Sequence, residues 1–276
     1  MFSLNLKDRL RSLNRQRVYK RGLNKPCVDH PDGFMFSGRN QIMAKGGHEP
    51  FEADLVRKIL QDVQVFVNIG AHHGYYSCLA LSSNTDTIAY EPEASNILML
   101  EKHIKANDFS AQFTLHPCAV GSQSSELLLY GGGSGGSLLP NTNLAPKSEQ
   151  QTVSVVTLDD TLYLSNKKAL CLMDIEGFEH EALKGASKIL SNKIKPYWII
   201  EVLLCSPQGD LNAEFENVFG LMQSHGYCAW GIDEGANKLV PFTSDEALKV
   251  KNGEFKTNVS NFLFTERDDD LAQRLL

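Results

Sequence analysis

From residue 63 onward the chain alternates short apolar runs with stretches whose apolar residues recur every three or four positions, the rhythm of βαβ units on a parallel sheet. Val63–Ile69 reads as a first strand, Gly74–Leu81 as the helix after it, and Thr87–Glu91 as a second strand. Ile97, Leu100 and Ile104 share one face of a helix over Ser95–Ala106, and Phe113–Leu115 is a short third strand. The pattern then changes. Glu126–Tyr130 and Gln151–Leu158 alternate apolar and polar positions around a stretch rich in Gly, Ser, Pro and Asn, Gly131–Lys147. This predicts an inserted β-hairpin whose glycine-rich tip is a mobile cover. The α/β rhythm resumes with a strand at Ala169–Asp174, a helix at Phe178–Leu190, a strand at Tyr197–Val202 and a helix at Ala213–His225. Tyr227–Ile232 and Asn261–Thr265 follow with no long helix between them, so they are expected to pair antiparallel at a sheet edge. The fold expected is α/β and Rossmann-like, with a seven-stranded, mostly parallel sheet and one antiparallel edge strand. Residues 1–48 form a basic leading segment and residues 49–276 the main domain.

Composition narrows the class. With 42% hydrophobic and 22% charged residues over 276 positions, the chain buries one large core as an ordinary globular protein does. No run approaches the length of a membrane span and no secretory leader is visible, so a cytoplasmic location is expected. The six cysteines are widely spaced without a C-x-x-C pair, as reduced core cysteines are. Residues 1–25 hold eight Lys or Arg against Asp8, leaving −13 on the remainder of a chain whose net charge is −6. Leu6, Leu10 and Leu13 place an apolar stripe on that basic stretch. The ordinary reading is a solvated helix packed on the domain; the alternative is contact with an anionic membrane surface.

The first strand runs into Asn68-Ile69-Gly70-Ala71-His72-His73-Gly74, a G-x-x-x-G turn. A dinucleotide cradle requires G-x-G-x-x-G, and positions 72 and 75 are His and Tyr, which disfavours NAD. Glu91 ends the second strand, where a carboxylate accepts hydrogen bonds from the ribose hydroxyls of an adenosine, and Pro92 follows it. Strand, glycine turn and acid together suit an adenosyl ligand without a diphosphate. Asp174-Ile175-Glu176-Gly177 ends the fourth strand, and ligands of parallel sheets sit beyond the carboxyl ends of the strands. Asp174 is therefore the candidate for removing a proton from an acceptor. It acts directly as a base, or joins Glu176 and Glu201 as oxygen ligands of a divalent cation; the sequence leaves both open. The ordinary reading of Glu176 and Glu179 is first-turn helix acids. Tyr75 and Tyr76 line an acceptor pocket or pack on the sheet. His48, His73, His116, His180 and His225 lack metal-ligand spacing and receive no role.

Val67 through Ser77, Tyr90-Glu91-Pro92, and Asp174 through Glu179 followed by Leu183-Lys184-Gly185-Ala186 resemble the FkbM family of methyltransferases, over about residues 49–232. The resemblance implies a class I methyltransferase fold and S-adenosyl-L-methionine as cofactor, commonly for methylating hydroxyls of sugars, glycans or secondary metabolites. Cofactor contacts carried over with it fall on Gly70, Gly74 and Glu91, with Asn68, Ala71, His72 and Pro92 beside them. The family usually has Asp where Asn68 stands, Asn where His72 stands and Lys where Leu172 stands. An uncharged Asn68 still accepts a hydrogen bond from an amino group, more weakly than a carboxylate. Leu172 reads as strand packing. Two other classes compete: a methyltransferase fold that has lost catalysis and serves as a binding or scaffold protein, and a nucleic-acid methyltransferase guided by the basic N-terminus. The second lacks an Asn/Asp-Pro-Pro-aromatic run after strand four, and the acidic remainder repels phosphates, so no nucleic acid is expected.

Overall fold

The structure is a computed structural model and describes residues 21–37, 40–131, 135–139, 150–204, 212–254 and 256–275. The basic stretch lies almost entirely outside the described residues, as does most of the 131–147 tip. A short antiparallel pair, β1 (Cys27–Asp29) and β2 (Met35–Ser37), precedes helices α1 (Gln41–Ala44) and α2 (Pro50–Leu60). The alternation then runs β3 (Val65–Ile69), α3 (Tyr75–Ser82), β4 (Asp86–Tyr90), α4 (Ala94–Ala106) and β5 (Phe113–His116). After it come β6 (Ala119–Val120), β7 (Ser125–Tyr130) and β8 (Gln150–Val156), then α5 (Leu158–Thr161), β9 (Ala169–Met173), α6 (Glu179–Lys184) and α7 (Ser187–Leu190). The last part is β10 (Tyr197–Glu201), α8 (Phe215–Ser224), β11 (Tyr227–Asp233), β12 (Lys238–Phe242), α9 (Ser244–Lys251), β13 (Asn261–Glu266) and α10 (Leu271–Leu275).

Eight strands form the main sheet, in the order β12-β11-β13-β10-β9-β3-β4-β5. β5, β4, β3, β9 and β10 are parallel to one another, and β13 inserts antiparallel between β10 and β11. The sheet thus has one strand more than expected. β12 forms a hairpin with β11, and its Pro241, which reads against a strand, is tolerated because an edge position needs no inward amide. The expected antiparallel pair is present as β11 and β13, with Trp230 opposite Leu263. The inserted hairpin is β7 on β8, and β6 joins β8 in parallel to make a separate three-stranded sheet. The helix expected over Phe178–Leu190 is two short helices. They break at Gly185, where a Cβ would stand 2.1 Å from the carbonyl oxygen of Gly121.

Both faces of the sheet are covered, so the central strands are buried along their whole length. On one face β2, α2 and α3 bury Phe36, Leu55, Ile59 and Leu79 against Phe66 and Leu170. On the other, α6 to α9 bury Leu183, Phe219 and Val250 against Cys171, Trp198 and Phe262. Each such side chain removed from water contributes about 1.5–3 kcal/mol. Asp32 between β1 and β2 clasps Arg57 of α2 through two 2.8 Å hydrogen bonds, fastening the leading hairpin to the domain. Among the described residues no helix is long and apolar enough to cross a membrane.

Two glycines separate backbone need from chance. Gly70 has φ +85° and a Cβ there would lie 1.9 Å from the carbonyl oxygen of Asp174, whereas exposed Gly220 in α8 has open space. Gly70→Ala is expected to lower unfolding free energy by at least about 2 kcal/mol, and Gly220→Ala to raise it by about 0.5–1 kcal/mol. Urea titration checks both, and equal effects would refute this account of the turn.

Candidate active site

The turn after β3 is held from several directions. The backbone amides of Gly70 and Ala71 both donate to the carbonyl of Tyr90, at 2.9 and 3.0 Å. His72 adopts φ +48°, a conformation open to short polar residues and His and closed to most others. From outside, Ser37 N donates to Nε2 of buried His103, so Nδ1 carries the proton and donates to His73 O at 2.7 Å. Burial holds His103 neutral, with its pKa lowered to about 4. Gly74, expected to touch a ligand, has a packing role of its own. A Cβ there would stand 2.2 Å from Cδ1 of Leu100, so its missing side chain lets α4 close on α3.

Glu91 is buried at the end of β4. Its Oε2 accepts from the His72 amide at 2.7 Å; its Oε1 accepts from the Glu93 amide at 2.9 Å and from Asn96 Nδ2 at 3.1 Å. A carboxylate offers about four acceptor positions, so one remains for a ligand and not the two that a pair of ribose hydroxyls would use. Burial is the main cause that raises its pKa to about 7, and the three donors oppose it. Glu91 therefore ties the glycine turn to the strand that carries it. Asn68, at the floor of β3, gives its Nδ2 to Ser77 Oγ at 2.9 Å and leaves its carbonyl oxygen to the cavity.

A cavity of about 270 Å³ opens beyond the carboxyl ends of β4, β3, β9 and β10, at the switch point where the chain order changes direction between β3 and β9. Asn68, Gly70, Ala71, His72, Glu91 and Pro92 line one part, and Asp174, Glu176 and Glu201 another. Ala119, Val120 and Leu129 of the inserted sheet, with Leu138 and Phe178, form an apolar wall. Leu172 lies in register between Asn68 and Ile199 and lines the cavity floor as well as packing in its strand. Asp174 keeps an accessible carboxylate although protein surrounds it, and it shares a hydrogen bond with Glu201. Burial raises both, and Glu201 rises further beside the Asp174 charge, so the pair favours holding one proton over ionising twice. Glu176 is not in a helix turn. It has φ +56°, precedes the start of α6 and faces the cavity, and burial raises its pKa to about 7. Glu179 is the helix acid, buried, accepting from Gly177 N at 2.9 Å.

Several lining residues had no assigned role. Glu52 and Glu49 at the start of α2, His48 and Asn261 all face the cavity. Glu52 was detectable, because it falls on the face of α2 that carries Val56 and Ile59 and is itself buried there. An acid inside an apolar stripe marks a polar cavity or a partner. Among the described residues no group of three or more His, Cys, Asp or Glu side chains is arranged to hold a metal ion, so the donor geometry does not fit the cation role left open for Asp174, Glu176 and Glu201.

Strand order β5-β4-β3-β9-β10-β13-β11 with β13 reversed, and a cavity at the β3/β9 switch point, define a class I methyltransferase fold. The sequence model of the methyltransferase FkbM domain matches residues 68–228, more than half of the chain. The chain belongs to the FkbM methyltransferase family. No curated protein is significantly similar to it. Among solved structures it is similar to precorrin-6y C5,15-methyltransferase from Geobacter metallireducens, at 15% identity and TM-score 0.41, over 86% of this chain and 95% of that one. It is similar also to the tRNA methyltransferase TrmK of B. subtilis, at 10% identity and TM-score 0.42, over 79% and 66%. A third is an O-methyltransferase from Bacillus cereus in complex with SAH, at 9% identity and TM-score 0.39, over 78% and 80%.

The buried acids have a measurable signature. A carboxyl whose folded pKa lies above its unfolded value stabilises the fold below the unfolded pKa and loses that contribution as pH rises through the folded one. Glu179 moves from 4.5 to about 7, chiefly by burial. Neutral His103 acts in the opposite direction below pH 6.5, so the comparison is made between variants. Glu179→Gln is expected to gain stability over the wild type between pH 4.5 and about 7, by up to roughly 3 kcal/mol. Guanidinium unfolding at several pH values reads the difference, and a gap that does not change with pH would count against the shift.

Proposed function

We propose that this protein transfers a methyl group from S-adenosylmethionine to a hydroxyl of a sugar, glycan or secondary metabolite. One observation carries the reading: a single cavity joins the Glu91 carboxylate at the end of β4 to an Asp174 carboxylate beyond β9 that is enclosed, accessible and supplied with a proton-holding partner. The residues present fit the cofactor. Glu91 retains one acceptor position for a ribose hydroxyl, the Asn68 carbonyl oxygen accepts from an amino group, and Ala71, His72 and Pro92 line the space between. When bound, S-adenosylmethionine supplies an electrophilic methyl group.

The chain supplies position and a proton acceptor. Methyl transfer is an in-line displacement, so alignment of the acceptor oxygen is the larger contribution. Asp174 accepts the hydroxyl proton as the oxygen attacks, with Glu201 hydrogen-bonded beside it. Glu176 adds negative potential at the same edge. The apolar wall of Leu129, Leu138 and Phe178 excludes water from the space above Asp174.

Calorimetric titration with S-adenosylhomocysteine tests the cofactor. Binding is expected, and Glu91→Ala should weaken it by about 1.5–3 kcal/mol. Failure of the wild type to bind would leave the scaffold reading. Asp174→Asn should lower turnover roughly a hundredfold or more while S-adenosylhomocysteine affinity stays near normal. Wild-type turnover in that variant would remove Asp174 from the chemistry.

A further inference from the structure

The cavity continues past Asp174 to a wall that cofactor binding does not use. Asn261 begins β13 directly across from Glu201 of β10, and its Nδ2 donates to Glu52 Oε2. The Tyr76 hydroxyl donates to Glu49 Oε2 at 2.9 Å, and His48 Nε2 lies 3.4 Å from the same oxygen. Tyr75 lines the cavity beside them, only 4% exposed, with its hydroxyl buried and lacking a hydrogen-bond partner. From Glu91 on β4 to Asn261 on β13 is four strand steps, about 19 Å at the usual spacing. This wall therefore stands on the far side of Asp174 from the adenosine end.

Apart from the His48 imidazole beside Glu49, its electrostatics lean negative. Glu49 and Glu52 take their hydrogen bonds from a phenol and an amide, and no Lys or Arg is among the described residues lining the cavity. On the outer surface, by contrast, Asp54, Glu181 and Glu216 each meet a lysine. The Tyr76 hydroxyl gives its proton to Glu49, and the Glu52 carboxyl lies beside the same phenol. Burial and then the neighbouring Glu49 charge push the Glu52 carboxyl up to about 8. A buried acid of this kind is compensated by a cation arriving with the ligand.

We infer that Glu49, Glu52, Tyr75, Tyr76 and Asn261 form a subsite for a protonated amine of the acceptor, so that the methylated compound is an amine-bearing polyol and not a phosphorylated or carboxylated one. The inference rests on reading the cavity as a methyl-transfer site. On binding, the ammonium takes a place beside two carboxylates and two aromatic faces, and Glu52 releases its proton to solvent. An anionic acceptor would meet Glu49, Asp174 and Glu176 with no Lys or Arg in the described lining, only the imidazole of His48 beside Glu49.

Glucosamine, N-acetylglucosamine and glucose 6-phosphate are the probes, titrated calorimetrically into the protein with and without S-adenosylhomocysteine. The work is done at about pH 6.5, below the usual range of an amine pKa, in two buffers of different ionisation enthalpy. Glucosamine is expected to bind about tenfold or more tightly than N-acetylglucosamine and to release close to one proton. Half-buried Glu49→Gln and isosteric Glu52→Gln should each narrow that preference to about twofold, with S-adenosylhomocysteine affinity unchanged. Equal binding of the N-acetyl or phosphate probe, absence of glucosamine binding, or a preference that survives both variants would overturn the subsite. If S-adenosylhomocysteine fails to bind the wild type, methyl transfer is refuted, and the probe series without it still decides the amine site.

Discussion

At the end of β3 the α-carbon of Gly70 faces the carbonyl oxygen of Asp174 so closely that a Cβ would lie 1.9 Å from it. Asp174 N in turn donates to Ile69 O at 3.0 Å. Two parallel strands are thereby kept paired to their last residue, at the one place in the sheet where the chain order reverses. The crevice of such a sheet forms where the two adjoining loops leave in opposite directions. Here one loop climbs toward Glu91 and the other toward Glu176. The contact at Gly70 sets how near the glycine turn and the acids stand to one another, and any side chain at 70 would separate them.

The loops that depart from this contact are over-determined. The first has left-handed backbone at Gly70, His72 and Gly74, and the second has it at Glu176 and Gly177. Such residues persist only where neighbours fix them. The first loop is fixed by the Glu91 carboxylate on the His72 amide and by His103 on the His73 carbonyl. The second is fixed by Glu179 on Gly177 N and by Ser137 Oγ donating to Glu176 O, so the inserted segment holds the acidic edge of the cavity as well as walling it. His103 also receives the Ser37 amide and stacks on Phe36, so the leading hairpin supports the cofactor turn from behind.

What could be read from the sequence follows the range of the interactions involved. The parallel strands and the helices after them were visible because burial on both faces writes long apolar runs, and the acids at the ends of β4 and β9 stood out against those runs. Strand β12 was not, because an edge strand carrying Pro241 has neither the run nor the amide pattern that marks a strand. The packing demand on Gly74 was not legible, because it comes from Leu100, twenty-six residues away in sequence, and no local pattern reports it. His48, Glu49 and Asn261 were missed for the same reason: their shared surface exists only after β13 has inserted beside β10.

The acids around the cavity also constrain how the protein can exist without ligand. Raising a carboxyl from 4.5 to about 7, as at Glu91, Glu176 and Glu179, corresponds to about 3 kcal/mol per group against ionisation. Ionising all three at once would take a large share of the stability a domain has in total, roughly 5–15 kcal/mol. The raised values favour retained protons instead, at the Asp174–Glu201 pair and at Glu52. Packing and the Gly70 contact fix the shape of the cavity, whereas its charge depends on what enters it. A ligand that brings positive charge gains twice, by its own contacts and by letting the acids ionise, and a ligand that brings negative charge meets both penalties together.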